Sequence, residues 1–218
     1  MSRFYMKEVR SLVLPGVATA VLGAAVALTK LGFGPFGTVS TETLPLAAPT
    51  SVTSFALYAA LTGVLIGLWQ TITEAAADTW LLLWHRPFSR GHLLATKAAA
   101  GLTVTLLAAA VPLSLTVVVA ATGHTLYPVP FRWAFVWPAA VATGAGCLTY
   151  VGALASGYAS TQWWGTRLWP AAATSLVATA TTALALVHWP MALLLTAVVA
   201  GGGWAAVRWQ VHATDVPC

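Results

Sequence analysis

Charge is what this sequence has least of. Only 7% of its 218 residues are Asp, Glu, Lys or Arg, and 59% are hydrophobic. Soluble domains carry roughly 25% charged residues, so this chain has too few to cover a surface that faces water. The composition therefore excludes a soluble domain and predicts an all-α integral membrane protein, with residues 1–218 forming a single transmembrane domain.

Several patterns that carry chemistry are also missing. The two cysteines have no disulfide or ligand spacing, and the five histidines are scattered without a metal-ligand pattern. No serine lies in a nucleophile-elbow motif, and no Gly-rich loop ends in Lys-Ser or Lys-Thr. The ten basic residues are too few to build a face for nucleic acid. We therefore expect no catalytic residue, metal or cofactor on this chain.

Long apolar runs are what the sequence does have, and a run of about 20 apolar residues suffices to cross a bilayer as a helix. Their number predicts six membrane spans. The expected spans cover residues 14–31, 53–73, 95–121, 133–157, 169–187 and 191–207. The fifth and sixth spans are separated only by His188-Trp189-Pro190, which we expect to interrupt the helix.

The N-terminal residues 2–13 are predicted to form a separate amphipathic helix in the membrane interface. Its polar residues include Lys7, Glu8 and Arg10, and its basic charge favours anionic lipid. Pro15 is expected to mark the bend into an uncleaved first span. The alternative for residues 2–13 is a frayed terminus in water.

Basic residues predict the orientation of the spans. With six spans, both termini, the 74–97 segment and the turn around Arg167 lie on one side of the membrane. Bases in short loops mark the cytosolic side, so we expect both termini in the cytosol and the protein in the cytoplasmic membrane. The eight bases on that side are Arg3, Lys7, Arg10, Arg86, Arg90, Lys97, Arg167 and Arg208.

A polar segment, Glu74 to Lys97, separates the second and third spans. Glu74 and Asp78 are four residues apart and share one face if the segment is helical. The apolar stretch Trp80–Trp84 that follows is too short to span a membrane, and Pro87 disfavours a helix at the preceding residue. This pattern predicts a short helix on the cytosolic face, with an apolar side for a partner. An ordinary amphipathic loop without a partner is equally compatible with the pattern.

The same segment resembles a known family. Its order is Glu74, Asp78-Thr79, a run of leucines, Arg86-Pro87-Phe88-Ser89-Arg90 and a later Lys97. This order is similar to the segment after the second span in permease subunits of type-2 ABC exporters. Met6-Lys7-Glu8-Val9-Arg10 resembles the opening of the same permeases. Asp78 stands where the family has glycine, and the short link between the last two spans leaves no room for the outer re-entrant helices of many relatives.

The resemblance implies a transmembrane subunit of an ATP-driven exporter. It pairs with a second permease chain, identical or related, and rests on two copies of a cytosolic ATPase subunit that bind ATP and Mg. A pathway lined by apolar, Gly and Thr residues favours an amphipathic or lipid-like cargo, with peptides and drugs as further candidates. Residues 74–90 are then the coupling helix, with site residues Glu74, Asp78, Thr79, Trp80, Leu83, Arg86, Pro87 and Arg90.

Two other classes of function stay open from the sequence. A secondary carrier or channel would need no ATPase, but the expected mid-membrane regions contain no Asp, Glu, Lys, Arg or His. Ion-coupled carriers usually need such groups, although a sodium site of carbonyls and hydroxyls does not. A membrane scaffold that does not transport would use the polar segment for docking alone.

Overall fold

The structure, a computed structural model, describes residues 2–31, 46, 48–76, 90–122, 131–158 and 164–213. Within these ranges all regular structure is helical, as predicted. The elements are α1 (Ser2–Lys30), α2 (Pro49–Ala76), α3 (Arg90–Ala121), a 3₁₀ turn (Trp133–Phe135), α4 (Val136–Thr143), α5 (Ala145–Tyr158) and α6 (Trp164–Ala213).

Five helical stretches are long and apolar enough to cross a membrane. By length and composition the chain is therefore a multi-pass membrane protein. The stretches are Phe4–Thr29, Pro49–Thr73, Gly91–Ala121, Trp133–Tyr158 and Leu168–Trp209.

Helix α1 continues through Pro15, so the boundary predicted there is wrong as a break between two helices. Membrane helices tolerate an internal proline, because neighbouring groups satisfy the freed backbone. Val9 and the fully buried Leu12 pack in the core, so the first turns of α1 belong to the bundle.

Helices α2 and α5 are in contact along their backbones. A Cβ atom on Gly63 would collide with the Gly146 carbonyl, and one on Gly67 would lie 2.8 Å from the Ala153 Cβ. The Thr149 hydroxyl donates across the interface to the carbonyl of Ala60 at 2.9 Å. Small residues allow this close approach, which drives helix association where hydrophobic burial cannot.

Tyr58 connects α2 to α1 and α3. Its hydroxyl donates to the Thr19 carbonyl at 2.7 Å and to the Ala108 carbonyl at 3.2 Å. Its ring lies against Gly23, where any Cβ atom would overlap it. One side chain therefore holds three helices together.

Helix α6 is interrupted at His188, whose backbone is not helical (φ −151°, ψ 76°). This confirms the interruption predicted from His188-Trp189-Pro190. Leu148 of α5 lies in one apolar cluster with Val177 before the interruption and Val199 after it. Residues on both sides of His188 thus lie at the same level of α5, so the two parts of α6 run in opposite directions.

The ends of the helices fall into two groups. Leu12 and Ala98, near the starts of α1 and α3, cluster with Ile66 and Leu154, near the ends of α2 and α5. Leu94 of α3 clusters with Val207, near the end of α6. We call this end of the bundle the proximal end. The chain leaves α2 and re-enters α3 here.

Candidate functional site

Three buried residues of different helices meet near the proximal end: Gln70 of α2 and Tyr150 of α5 through their side chains, and Lys97 of α3 through its backbone carbonyl. Their exposed fractions are 2%, 4% and 0%. The Tyr150 hydroxyl donates to Gln70 Oε1 at 2.8 Å, and Gln70 Nε2 donates to the Lys97 carbonyl at 3.2 Å. We call these three residues the polar cluster.

Glycine at position 101 makes room for the polar cluster. A Cβ atom there would overlap the Tyr150 hydroxyl. Gly101 lies one helical turn beyond Lys97 on the same face of α3. The sequence K-x-x-x-G therefore gives α3 a notch beside the Lys97 carbonyl, which accepts from Gln70 Nε2 and lies 3.5 Å from the Tyr150 hydroxyl.

The polar cluster lies at the two helix ends that carry the 77–89 connection. Gln70 is fewer than two helical turns before Ala76, where α2 ends. Lys97 is fewer than two turns after Arg90, where α3 begins. Gln70 therefore links the two arms of this connection to each other and, through Tyr150, to α5.

The predicted site residues are placed only in part. Glu74 lies in the last turn of α2, and Arg90 is the first residue of α3. The coupling helix itself stays a prediction, because most of its residues lie outside the described ranges. Those residues are Asp78, Thr79, Trp80, Leu83, Arg86 and Pro87.

The three charged residues predicted near the N-terminus all lie on α1. Lys7 and Arg10 are exposed, and Glu8 is half-buried. Because α1 is continuous, these residues stand on a helix that also enters the core, rather than on a separate interfacial helix.

Lys97 is buried, whereas the sequence suggested a basic flank at the membrane surface. Its 4% exposure follows from its place between α2 and α5, on the notched face of α3. Sequence analysis also missed Gln70 and Tyr150. A polar residue inside an apolar run needs a hydrogen-bond partner within the protein. This rule could have identified Gln70 and Tyr150 as candidates, but it does not indicate that they bond to each other.

A second polar position lies farther along the same face of α3. Thr105 is one turn beyond Gly101, is 1% exposed, and its hydroxyl has no hydrogen-bond partner among the described residues. Buried polar groups in native proteins usually have partners. Among the described helices, the interface of α3 thus has a hydroxyl without a partner between the levels of Lys97 and Ala108.

The described helices hold no group of three or more His, Cys, Asp or Glu side chains that could bind a metal ion. The polar cluster can restrict movement between helices, because its directional hydrogen bonds favour one arrangement of α2, α3 and α5.

Comparison of the chain with protein-family models, curated proteins and solved structures gives no match. The family proposed below therefore depends on the resemblance of residues 6–10 and 74–97 to permease subunits of type-2 ABC exporters.

Proposed function

We propose that this chain is the transmembrane subunit of an ATP-driven exporter of the type-2 ABC class. The observation that carries the proposal is that α2 ends and α3 begins at the same end of the bundle, where the polar cluster joins both helices to α5. A segment between these two helix ends can receive a push from a partner and move three helices.

The proposal includes six membrane spans with both termini in the cytosol. Support comes from α6: its Leu168–Trp209 stretch has 42 residues, about 63 Å of helix, against a hydrocarbon thickness of about 30 Å. The reversal at His188 gives two antiparallel parts that both pack on α5, and the proposal takes each part as one span. The proximal end is then the side with eight of the ten bases, and therefore the cytosolic side of the cytoplasmic membrane.

The proposed partners are two copies of a cytosolic ATPase subunit and a second permease chain. ATP and Mg bind to the ATPase, and residues 74–90 form the coupling helix that contacts it. ATP binding shifts the transporter between two states only through its different affinity for each state. The ATPase transmits this difference in affinity to the membrane helices as a force on residues 74–90.

The proposed cargo is amphipathic or lipid-like, and peptides or drugs are further candidates. Support comes from the composition of the described spans. Their buried polar positions are mostly threonines, such as Thr62, Thr116 and Thr181, rather than charged residues. Hydroxyls that can also bond their own helix suit a path for molecules of low charge.

The coupling assignment is tested by alanine variants of Glu74, Asp78 and the Trp80–Trp84 stretch. Each variant is purified in mild detergent, and the amount of co-purifying ATPase and its hydrolysis rate are measured. We expect at least one to lower both several-fold. Arg132→Ala is the matched control, because Arg132 is charged and exposed but precedes α4 at the opposite end.

Unchanged ATPase binding and hydrolysis in all of these variants would contradict the coupling assignment. Transport by the purified chain alone in liposomes under an ion gradient would instead identify a secondary carrier. An ATPase that binds but never hydrolyses ATP faster in the complex would identify a scaffold.

A further inference from the structure

Gln70 uses both ends of its amide to connect helices. Its Nε2 donates to a carbonyl of α3, and its Oε1 accepts from Tyr150 of α5. It is 2% exposed, so neither bond is exchanged with water. A single side chain of α2 thus bonds to two further helices at the proximal end.

The polar cluster adds direction to the steric contacts that already hold α2 against α5. Around the polar cluster, Leu12, Ile66 and Leu154 pack without directional preference. Hydrogen bonds to the Lys97 carbonyl have a preferred distance and angle and therefore resist sliding. The Tyr150 ring, seated in the notch at Gly101, adds a steric stop.

Helix α5 passes its position on to α6. A Cβ atom on Gly152 would overlap the Thr174 hydroxyl, so the two backbones are in contact there. The Ser156 hydroxyl accepts a hydrogen bond from the Ala171 amide at 3.1 Å. A continuous series of direct contacts therefore connects α3, Gln70, α5 and the first part of α6.

We propose that Gln70 and Tyr150 are positioning residues for coupling: they make α2, α3, α5 and the first part of α6 move as one body when the 77–89 connection is displaced. This role rests on the proposed function. Without these bonds, ATP still displaces α3, but α6 no longer follows it.

The test measures the distance between spin labels on α3 and α6. The labels are attached at Ala95→Cys and Leu168→Cys, two exposed positions, in a chain with Cys147→Ser and Cys218→Ser. The complex with its co-purified ATPase is compared in nanodiscs with ADP and with trapped ATP. In the otherwise unchanged chain we expect the same distance in both states.

In Gln70→Met and Tyr150→Phe we expect the distance to shift on ATP binding by more than the width of the original distribution. Tyr150→Phe keeps the ring in its notch and removes only the hydroxyl, so it decides the outcome if Gln70→Met fails to fold. Tyr58→Phe is the matched control. It removes another hydroxyl that bonds α1 and α3, more than three turns from Gln70, and should leave the distance unchanged.

The inference is overturned if the distance between the labels is the same with ADP and with ATP in both Gln70→Met and Tyr150→Phe. It is also overturned if ATP shifts that distance equally in Tyr58→Phe. Failure of the proposed function looks different, since the complex with the original polar cluster would then not hydrolyse ATP faster than the ATPase alone. In that case the distance distribution without nucleotide still decides. A width that is the same in Gln70→Met, Tyr150→Phe and the parent chain contradicts a joint at this position.

Discussion

Helices α5 and α6 are neighbours with opposite surroundings. In the apolar part of the Trp133–Tyr158 stretch, which contains α5, 56% of the residues are buried inside the bundle, against 11% in that of Leu168–Trp209 of α6. Both are strongly apolar, so hydrophobicity does not decide which helix is central. Exposing the apolar face of α6 to lipid has no cost in free energy. The helix whose small residues allow close approach, α5, therefore lies at the centre.

Glycine shows the same contrast at single positions. Gly146 of α5 lies against the backbone of Ala59, whereas a Cβ atom on Gly201 or Gly202 of α6 would have no neighbour within 4 Å among the described residues. The run Gly201–Gly203 therefore does not act as one packing motif. Within the described helices, Gly203 alone of these three glycines meets another helix, at Val151.

The largest expected difference between the two helices is at leucine. Leu148 of α5 is fully buried between both parts of α6, while Leu194 of α6 is 66% exposed. We expect Leu148→Ala to lower the free energy of unfolding by about 2–5 kcal/mol, because it leaves a cavity. Leu194→Ala should change it by less than about 0.5 kcal/mol. Unfolding in mixed micelles measures both, and equal losses would contradict the central position of α5.

The next effect concerns added volume. In Gly146→Leu the Cβ atom would lie 2.7 Å from the Ala59 carbonyl oxygen, a backbone atom that a rotamer change cannot relieve. We expect a loss of about 1–3 kcal/mol in the free energy of unfolding. Gly201→Leu is the control and should be neutral or stabilising, since glycine is a poor helix former. Tolerance of leucine at position 146 would show that α2 and α5 are not in backbone contact.

The smallest effect concerns hydroxyls. Thr149 of α5 donates to the carbonyl of Ala60 on another helix, whereas the described partner of Thr179 of α6 is the carbonyl of Ser175 on its own helix. Hydrogen bonds between membrane helices contribute about 0.6 kcal/mol on average. We expect about that loss in the free energy of unfolding for Thr149→Val and no measurable loss for Thr179→Val. A larger loss for Thr179→Val would indicate a partner for that face of α6.

Local patterns in the sequence predict where the helices lie in the chain better than they predict which helices are in contact. The apolar runs predict the positions of α2 and α3, and His188-Trp189-Pro190 predicts the interruption of α6. Pro15 misled, because a membrane helix can continue through proline when its neighbours compensate. The presence of a proline in the sequence does not indicate whether neighbouring groups compensate for the lost hydrogen bond.

The polar cluster could not be predicted from local patterns. Gln70, Lys97 and Tyr150 are separated by 27 and 53 positions, and each looks like an isolated exception in its own span. Their meeting depends on which helices pack together, and that is set by glycines such as Gly63 and Gly101. Such steric complementarity between distant residues leaves no periodic signal in one sequence.

The central claim is that the 77–89 connection faces the cytosol, where an ATPase can reach it. Thr79→Cys, in a chain with Cys147→Ser and Cys218→Ser, is treated with a membrane-impermeant maleimide in vesicles of either orientation. Trp133→Cys, exposed at the opposite end of the bundle, is the reference. The account predicts that Thr79→Cys reacts only in inside-out vesicles and Trp133→Cys only in right-side-out vesicles. Reaction of Thr79→Cys in right-side-out vesicles alone would contradict it.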